Sequence, residues 1–278
     1  MIEKMFDKIR KHKDLHFLLN NRLEYKYKIH RVVKYFYKYS VVKTYLSEVF
    51  SKIPGSIDFQ NENGYTVLMK LCTMAKNIED IEFLFQYNPN LNLKSNCGWT
   101  ALMFAVKSMS IKNNPEQFFM FLISNGADVG EINNLGDNAL SILLKEISSY
   151  KKLVGLFPLL MCGIEIENKN IFGMSPLFYA IKISETTYGL RALKVLLITD
   201  DDLSDALIYA CKNSKKSAID EIIAKVECGT VIHNIINLYN KNEIHPEILN
   251  KVVTYYNCYN DLDDTILYKL YNYFDRKT

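Results

Sequence analysis

Four short stretches of this chain echo one another at a nearly constant interval. They are Gly64-Tyr65-Thr66-Val67-Leu68-Met69, Gly98-Trp99-Thr100-Ala101-Leu102-Met103, Gly136-Asp137-Asn138-Ala139-Leu140-Ser141 and Gly173-Met174-Ser175-Pro176-Leu177-Phe178, and their glycines stand 34, 38 and 37 residues apart. Self-similarity at that period marks a chain of stacked supersecondary units, each too small to bury its own apolar face. A second series, Asn88, Gly126, Gly163 and Asp200, follows the apolar runs at Phe83-Leu84-Phe85, Phe121-Leu122-Ile123, Leu159-Leu160-Met161 and Val195-Leu196-Leu197. From each of the first three of these to the next glycine the distance is always 10, whereas from glycine to helix end it is 24, 28, 27 and 27. One segment is fixed in length and the other tolerates insertion. A turn that must register against its neighbours cannot change length. A loop between two helices can, because closure entropy grows slowly with length.

The pattern Gly-x-[Thr/Ser/Asn]-x-Leu, found in all four units, and the helix ending Phe121-Leu122-Ile123-Ser124-Asn125-Gly126-Ala127-Asp128-Val129 resemble the ankyrin repeat, a turn followed by two helices. The resemblance covers about residues 58–202. It implies an all-α solenoid with short β-turn hairpins and helical caps at both ends. The implied repeats are 58–93, 94–130, 131–167 and 168–202 within a repeat region 56–202, preceded by a basic helical cap 1–55 and followed by degenerate repeats and a cap over 203–278. The family's usual histidine is replaced by Met69, Met103, Ser141 and Phe178, so its hydrogen bonds give way to apolar contact. Added loop residues such as Ser108 to Glu116 resemble the divergent ankyrin proteins of large DNA viruses.

Local chemistry fits this unit. Thr66, Thr100, Asn138 and Ser175 stand where first helices begin, and their side-chain oxygens suit orphan backbone N–H groups. Pro176 fits a first turn. Leu68, Leu71 and Cys72, and their counterparts Leu102, Ala105 and Val106, form the i, i+3, i+4 stripe of a buried helix. Gly126, Gly163 and Asn88 suit the left-handed residue that ends a helix, and Asp200 suits it less well. Pro158 falls inside an expected second helix, which must start near Phe157 or bend there.

The flanks read as helical. Ile2, Met5, Phe6 and Ile9 form one stripe, Val32, Val33, Phe36 and Tyr37 a second, and Val42, Tyr45, Leu46, Val49 and Phe50 a third, ended by Pro54-Gly55. Beyond Asp202 the turns vanish but helix pairs continue: Leu203 to Cys211 with Ala218 to Val226, ended by Gly229, then Val231 to Tyr239 with Pro246 to Tyr256, and finally Ile266 to Phe274. These residues either extend the stack or form a separate small helical domain.

Hydrophobic residues make up 49% of the 278, enough for a sizeable core, and no apolar run approaches membrane-spanning length. A soluble, intracellular, monomeric chain is expected. The six cysteines, never closer than 17 positions, have no zinc spacing and suit small core residues in a reducing compartment. His12 and His16 share a helix face without a third ligand, and Asp200-Asp201-Asp202 lacks the spacing of a calcium loop. No GxSxG, P-loop or HExxH motif occurs. The reading is a binding protein with no catalysis, no cofactor, no metal and no small-molecule substrate.

Charge is uneven. Residues 1–52 hold 13 Lys+Arg against 5 Asp+Glu, and the rest of the chain holds 21 against 26. Lys26, Lys28, Arg31, Lys34 and Lys38 interleave with tyrosines, a composition suited to single-stranded nucleic acid or an anionic membrane, or simply to a solvated cap face. Trp99 and Tyr65 hold equivalent places in adjacent repeats and form either a binding patch or a local packing pair. In ankyrin proteins partners sit on hairpin tips and the first-helix face. Carried onto this sequence, that implies contacts at Tyr65, Trp99, Leu135, Asp137, Phe172 and Met174 with another protein. For a viral chain the partner would be a host protein, for example of signalling or ubiquitin machinery, although no F-box-like tail is recognisable.

Overall fold

A computed structural model describes residues 29–30, 33, 41–150, 156–197, 203–226, 228–257, 262 and 264–275. The stripe on residues 2–9, the second-stripe residues Val32, Phe36 and Tyr37, the basic patch (Lys26, Lys28, Arg31, Lys34 and Lys38), His12 with His16, and Asp200-Asp201-Asp202 lie outside those residues, whereas Val33 of the second stripe is buried. Two compact units are formed: 1–143 with 154–165, and 144–153 with 166–278. The division falls inside the third repeat.

In the first unit, α1 (Val41–Lys52) precedes two repeats. Val42, Tyr45, Leu46, Val49 and Phe50 of α1 are all buried, as the stripe predicts. Each repeat opens with a tight turn, here called a finger, followed by a first and a second helix. Helices α2 (Val67–Met74) and α3 (Glu79–Glu82) form one pair, α4 (Ala101–Lys107) and α5 (Pro115–Ser124) the next. α2 packs on α4, and α4 on α5. α6 (Ala139–Tyr150) crosses the division between the units, and α7 (Leu156–Met161) packs on α5. Leu68, Leu71, Cys72, Leu102, Ala105 and Val106 are at most 1% exposed, so the helical stripe faces the core. Pro158 sits in the first turn of α7, where its missing N–H has no intrahelical partner to lose.

The expected caps are all made. Met69 N–H donates to Thr66 Oγ1 at 3.2 Å, Met103 to Thr100 at 3.4 Å, Ser141 to Asn138 Oδ1 at 2.9 Å and Phe178 to Ser175 at 3.2 Å. Asn138 also donates through Nδ2 to the Glu165 carbonyl at 2.7 Å. Asn138→Ala therefore loses two bonds at a buried site and is expected to cost about 2 kcal/mol, against about 1 kcal/mol for Thr100→Ala. Paired urea unfolding curves check the order, and equal costs would contradict it.

In the second unit, α8 (Pro176–Ile183) pairs with α9 (Thr187–Leu196), α10 (Ser204–Lys212) with α11 (Lys216–Ile222), and α12 (Cys228–Asn240) with α13 (Pro246–Tyr256), before α14 (Asp264–Asp275). α8 packs on α10 and α9 on α11, so the helix pairs past residue 203 stack on the fourth repeat. Lys194–Glu221 at 2.9 Å, Lys212–Glu243 at 2.8 Å and Lys216–Glu247 at 3.0 Å tie successive pairs at the surface. Gly229 does not end a helix as expected. It lies within α12, and the second helix closes instead through a 3₁₀ turn, Ile223–Lys225.

Candidate functional site

The fingers are built by one local device. Asn61, Ser95, Asn133 and Asn170 each stand three residues before the finger glycine. In the first, third and fourth fingers the asparagine Oδ1 accepts from the backbone N–H groups two and four residues on. For Asn133 these are Leu135 at 2.8 Å and Asp137 at 3.1 Å, for Asn170 they are Phe172 at 2.9 Å and Met174 at 3.0 Å. Ser95 Oγ accepts from Trp99 N–H at 3.1 Å. This side-chain turn closes the loop without help from a sheet. The chain then needs a left-handed residue, and Gly64, Gly98, Gly136 and Gly173 take it with φ of 73°, 77°, 79° and 71°. Sequence reading found the glycines and missed the asparagines. The signal was their fixed offset from the glycine.

Within the first unit the fingers are laced together. Asn96 donates its backbone N–H to the Asn63 carbonyl at 3.0 Å and its Nδ2 to the Glu62 carbonyl at 2.8 Å. Asn134 repeats the pattern one unit on, to Cys97 O at 3.1 Å and Asn96 O at 2.9 Å. Gln60 Nε2 bridges Gly64 O and Lys94 O, both at 2.7 Å. Lys94 reaches Glu131 at 2.6 Å. Finger side chains therefore project from a braced edge.

A family model described as ankyrin repeats, in three copies, matches residues 29–133. Residues 29–133 are thus similar to ankyrin repeats. Two ankyrin repeat proteins of Acanthamoeba polyphaga mimivirus are similar to the chain. One is 32% identical over 91 residues, covering 33% of this chain and 21% of that protein. The other is 28% identical over 155 residues, covering 54% of this chain and 22% of its own length. The chain thus spans about a fifth of the length of the curated relatives it matches. The same finger recurs beyond the matched region at Asn170, and the described residues are all-α, with one isolated bridge among them, Ile132 to Asn138.

The implied contact residues fall into three groups. Leu135 and Phe172 are fingertip residues, 42% and 68% exposed, and Ile171 beside Phe172 is 67% exposed. Tyr65, Trp99 and Met174 are half-buried. Tyr65 and Trp99 both meet Phe104 on α4, with ring centroids at 5.1 and 5.3 Å. Phe104 is thus the aromatic that joins the expected pair, unforeseen because it lies one position past the finger motif. Asp137, expected at the surface, is 2% exposed. At the equivalent positions the longer side chains stay half-buried, but this short carboxylate is covered, so it is removed from the contact set. Cys97, expected in the core, is exposed on the second finger, whereas Cys72 and Cys211 are buried.

Burial pushes both buried thiols up to about 12, so neither supplies a thiolate nucleophile near neutrality. Among the described residues, no helix is long and apolar enough to cross a membrane, and no group of His, Cys, Asp and Glu is arranged to hold a metal.

Proposed function

We propose that this chain is a non-catalytic adaptor that captures another protein inside the cell. Ankyrin repeats are protein-interaction modules, and what supports this reading most is the exposure of Leu135 and Phe172 on fingertips that internal hydrogen bonds hold rigid. Large apolar side chains at a pre-shaped edge bind with little ordering cost. In the first unit the contact surface comprises Tyr65, Trp99 and Leu135, and in the second Phe172 and Met174. No cofactor or small-molecule substrate takes part, and the adaptor works as a monomer. The similarity to mimivirus proteins favours a host protein as partner.

Affinity capture from amoebal cytosol tests this, with the wild-type chain beside a Leu135→Ser, Phe172→Ser double variant. Both side chains are exposed, so folding should be unaffected. Partner yield is expected to fall at least roughly tenfold, the size typical of losing an interface anchor. Recovery of the same proteins at equal yield would sink the reading.

A further inference from the structure

The second unit carries a small pocket where α8 packs on α10, at the first turn of both helices. Leu177 and Ala206, 3% and 1% exposed, form its floor. Phe178 forms a wall, and Glu167, Lys169 and Asp205 stand at the rim. The Phe178 ring is braced by Tyr209, stacked on it with centroids 4.6 Å apart and planes 10° from parallel. Among the four units only this one has an aromatic residue at that place. The others carry Met69, Met103 and Ser141.

The pocket already receives a cation. The Lys169 ammonium lies 5.5 Å from the Phe178 ring centre and 3.2 Å from Asp205 Oδ2. An aromatic face and a carboxylate together are a recognised way to hold a positive charge. Here the hold is loose. The side chains of Lys169 and Asp205 are 52% and 74% exposed, so the pair contributes little to stability and exchanges readily for a better one. With Lys169 in place the pocket keeps a volume of ≈ 210 Å³. That is below the ~300–1,000 Å³ of small-molecule sites and suits one long side chain.

We infer that this pocket seats an arginine from a basic peptide segment, and that Lys169 is the internal stand-in which the arginine displaces. The guanidinium lies flat on Phe178 and donates as a fork to the Asp205 carboxylate, a geometry that an ammonium lacks. Glu167 adds a second carboxylate at the rim, so the residues flanking the arginine are basic as well. This rests on the protein-binding role proposed above and names the class of partner. A nucleic acid is disfavoured, because its phosphates would meet Glu167 and Asp205.

The test uses the full chain and short fluorescent peptides read by anisotropy: a central Arg flanked by Lys and Gly, the same peptide with norleucine for Arg, the same with Lys for Arg, and Arg flanked by Asp. The first is expected to bind. The norleucine and Asp-flanked peptides should each bind roughly ten- to thirtyfold more weakly, and the central-Lys peptide several-fold more weakly. Exposed substitutions probe the pocket itself, with thermal melts confirming the fold. Asp205→Asn should abolish the preference for Arg over norleucine. Lys169→Gln removes the stand-in and should tighten the Arg peptide roughly three- to tenfold. Lys241→Gln makes the same charge change outside the pocket and should leave the affinity within about twofold.

Equal binding of the Arg and norleucine peptides, a Lys169→Gln gain no larger than that of Lys241→Gln, or an Asp205→Asn chain that binds as the wild type does would each overturn the proposal. Binding of no peptide would overturn it too. If cytosolic capture then still depends on Leu135 and Phe172, the adaptor role stands and only the pocket assignment falls.

Discussion

Replacing Gly98 with alanine is expected to destabilise the first unit by about 3 kcal/mol. Two costs combine. The backbone at Gly98 is left-handed, φ +77°, which an L-residue enters at about 1 kcal/mol or more. A β-carbon there would also lie 2.6 Å from the Asn134 backbone nitrogen and 2.9 Å from the Asn133 carbonyl carbon. Both are backbone atoms of the next finger, so no side chain can swing away. Relief requires the fingers to part, which breaks the 3.1 Å bond from Asn134 N–H to Cys97 O. Gly163 supplies the control. Its φ of +75° is equally left-handed, but a β-carbon there meets nothing within 4 Å. Gly163→Ala should cost only about 1 kcal/mol. Urea unfolding of the two variants separates the terms, and equal losses would show that the finger ladder contributes nothing.

Lys112→Met is expected to cost about 2 kcal/mol at neutral pH, and more as pH rises. Lys112 is 4% exposed. Its ammonium donates to Cys72 O at 2.8 Å, Ala75 O at 3.0 Å and Ser108 Oγ at 3.3 Å, and lies 4.3 Å from the Phe118 ring centre. It thereby serves the last carbonyls of α2 in the preceding repeat. Methionine fills the space but leaves two buried acceptors without this donor.

Burial lowers the Lys112 pKa to about 8, partly opposed by Cys72 and Asp80. The unfolded chain, titrating near 10.4, holds more protons than the folded one between those values. The Lys112 contribution to stability therefore increases with pH across that window, by about 2 kcal/mol between about pH 7 and 9.5. The buried Cys72 thiol acts oppositely above pH 9, since the folded state keeps its proton to about 12. Lys112 itself lowers the Cys72 pKa, so the comparison is made in a Cys72→Ala background, where the difference between Lys112 and Lys112→Met isolates the lysine. A difference that stays flat with pH would mean that the three acceptors keep the ammonium charged throughout.

Lys112 also shows where sequence reading stopped. The longer interval in the second repeat marks Ser108 to Glu116 as added loop, and variable length suggests a segment with little to hold it. In the fold that segment is anchored to its neighbour: besides Lys112, Asn113 N–H reaches Lys76 O at 2.9 Å and its Nδ2 reaches Asn77 Oδ1 at 2.6 Å. A pattern of intervals measures chain length between fixed points. It carries no information about which backbone carbonyls a neighbouring repeat leaves open. Asp137 was misplaced for a related reason. Equivalence to Tyr65 and Trp99 in the motif fixes its register, but the larger aromatic rings reach the surface from a site where a short carboxylate stays covered.

The sequence by itself determined the repeat, its period, its helix starts and its left-handed glycines. All of these depend on local backbone preference and on apolar periodicity, which neighbouring residues decide. Only the tertiary structure placed Phe104 against Tyr65 of the preceding repeat and buried Lys112 against the carbonyl of Cys72. Those contacts arise where one repeat meets the next, and the residues that meet there lie about 40 positions apart, beyond the reach of any local rule.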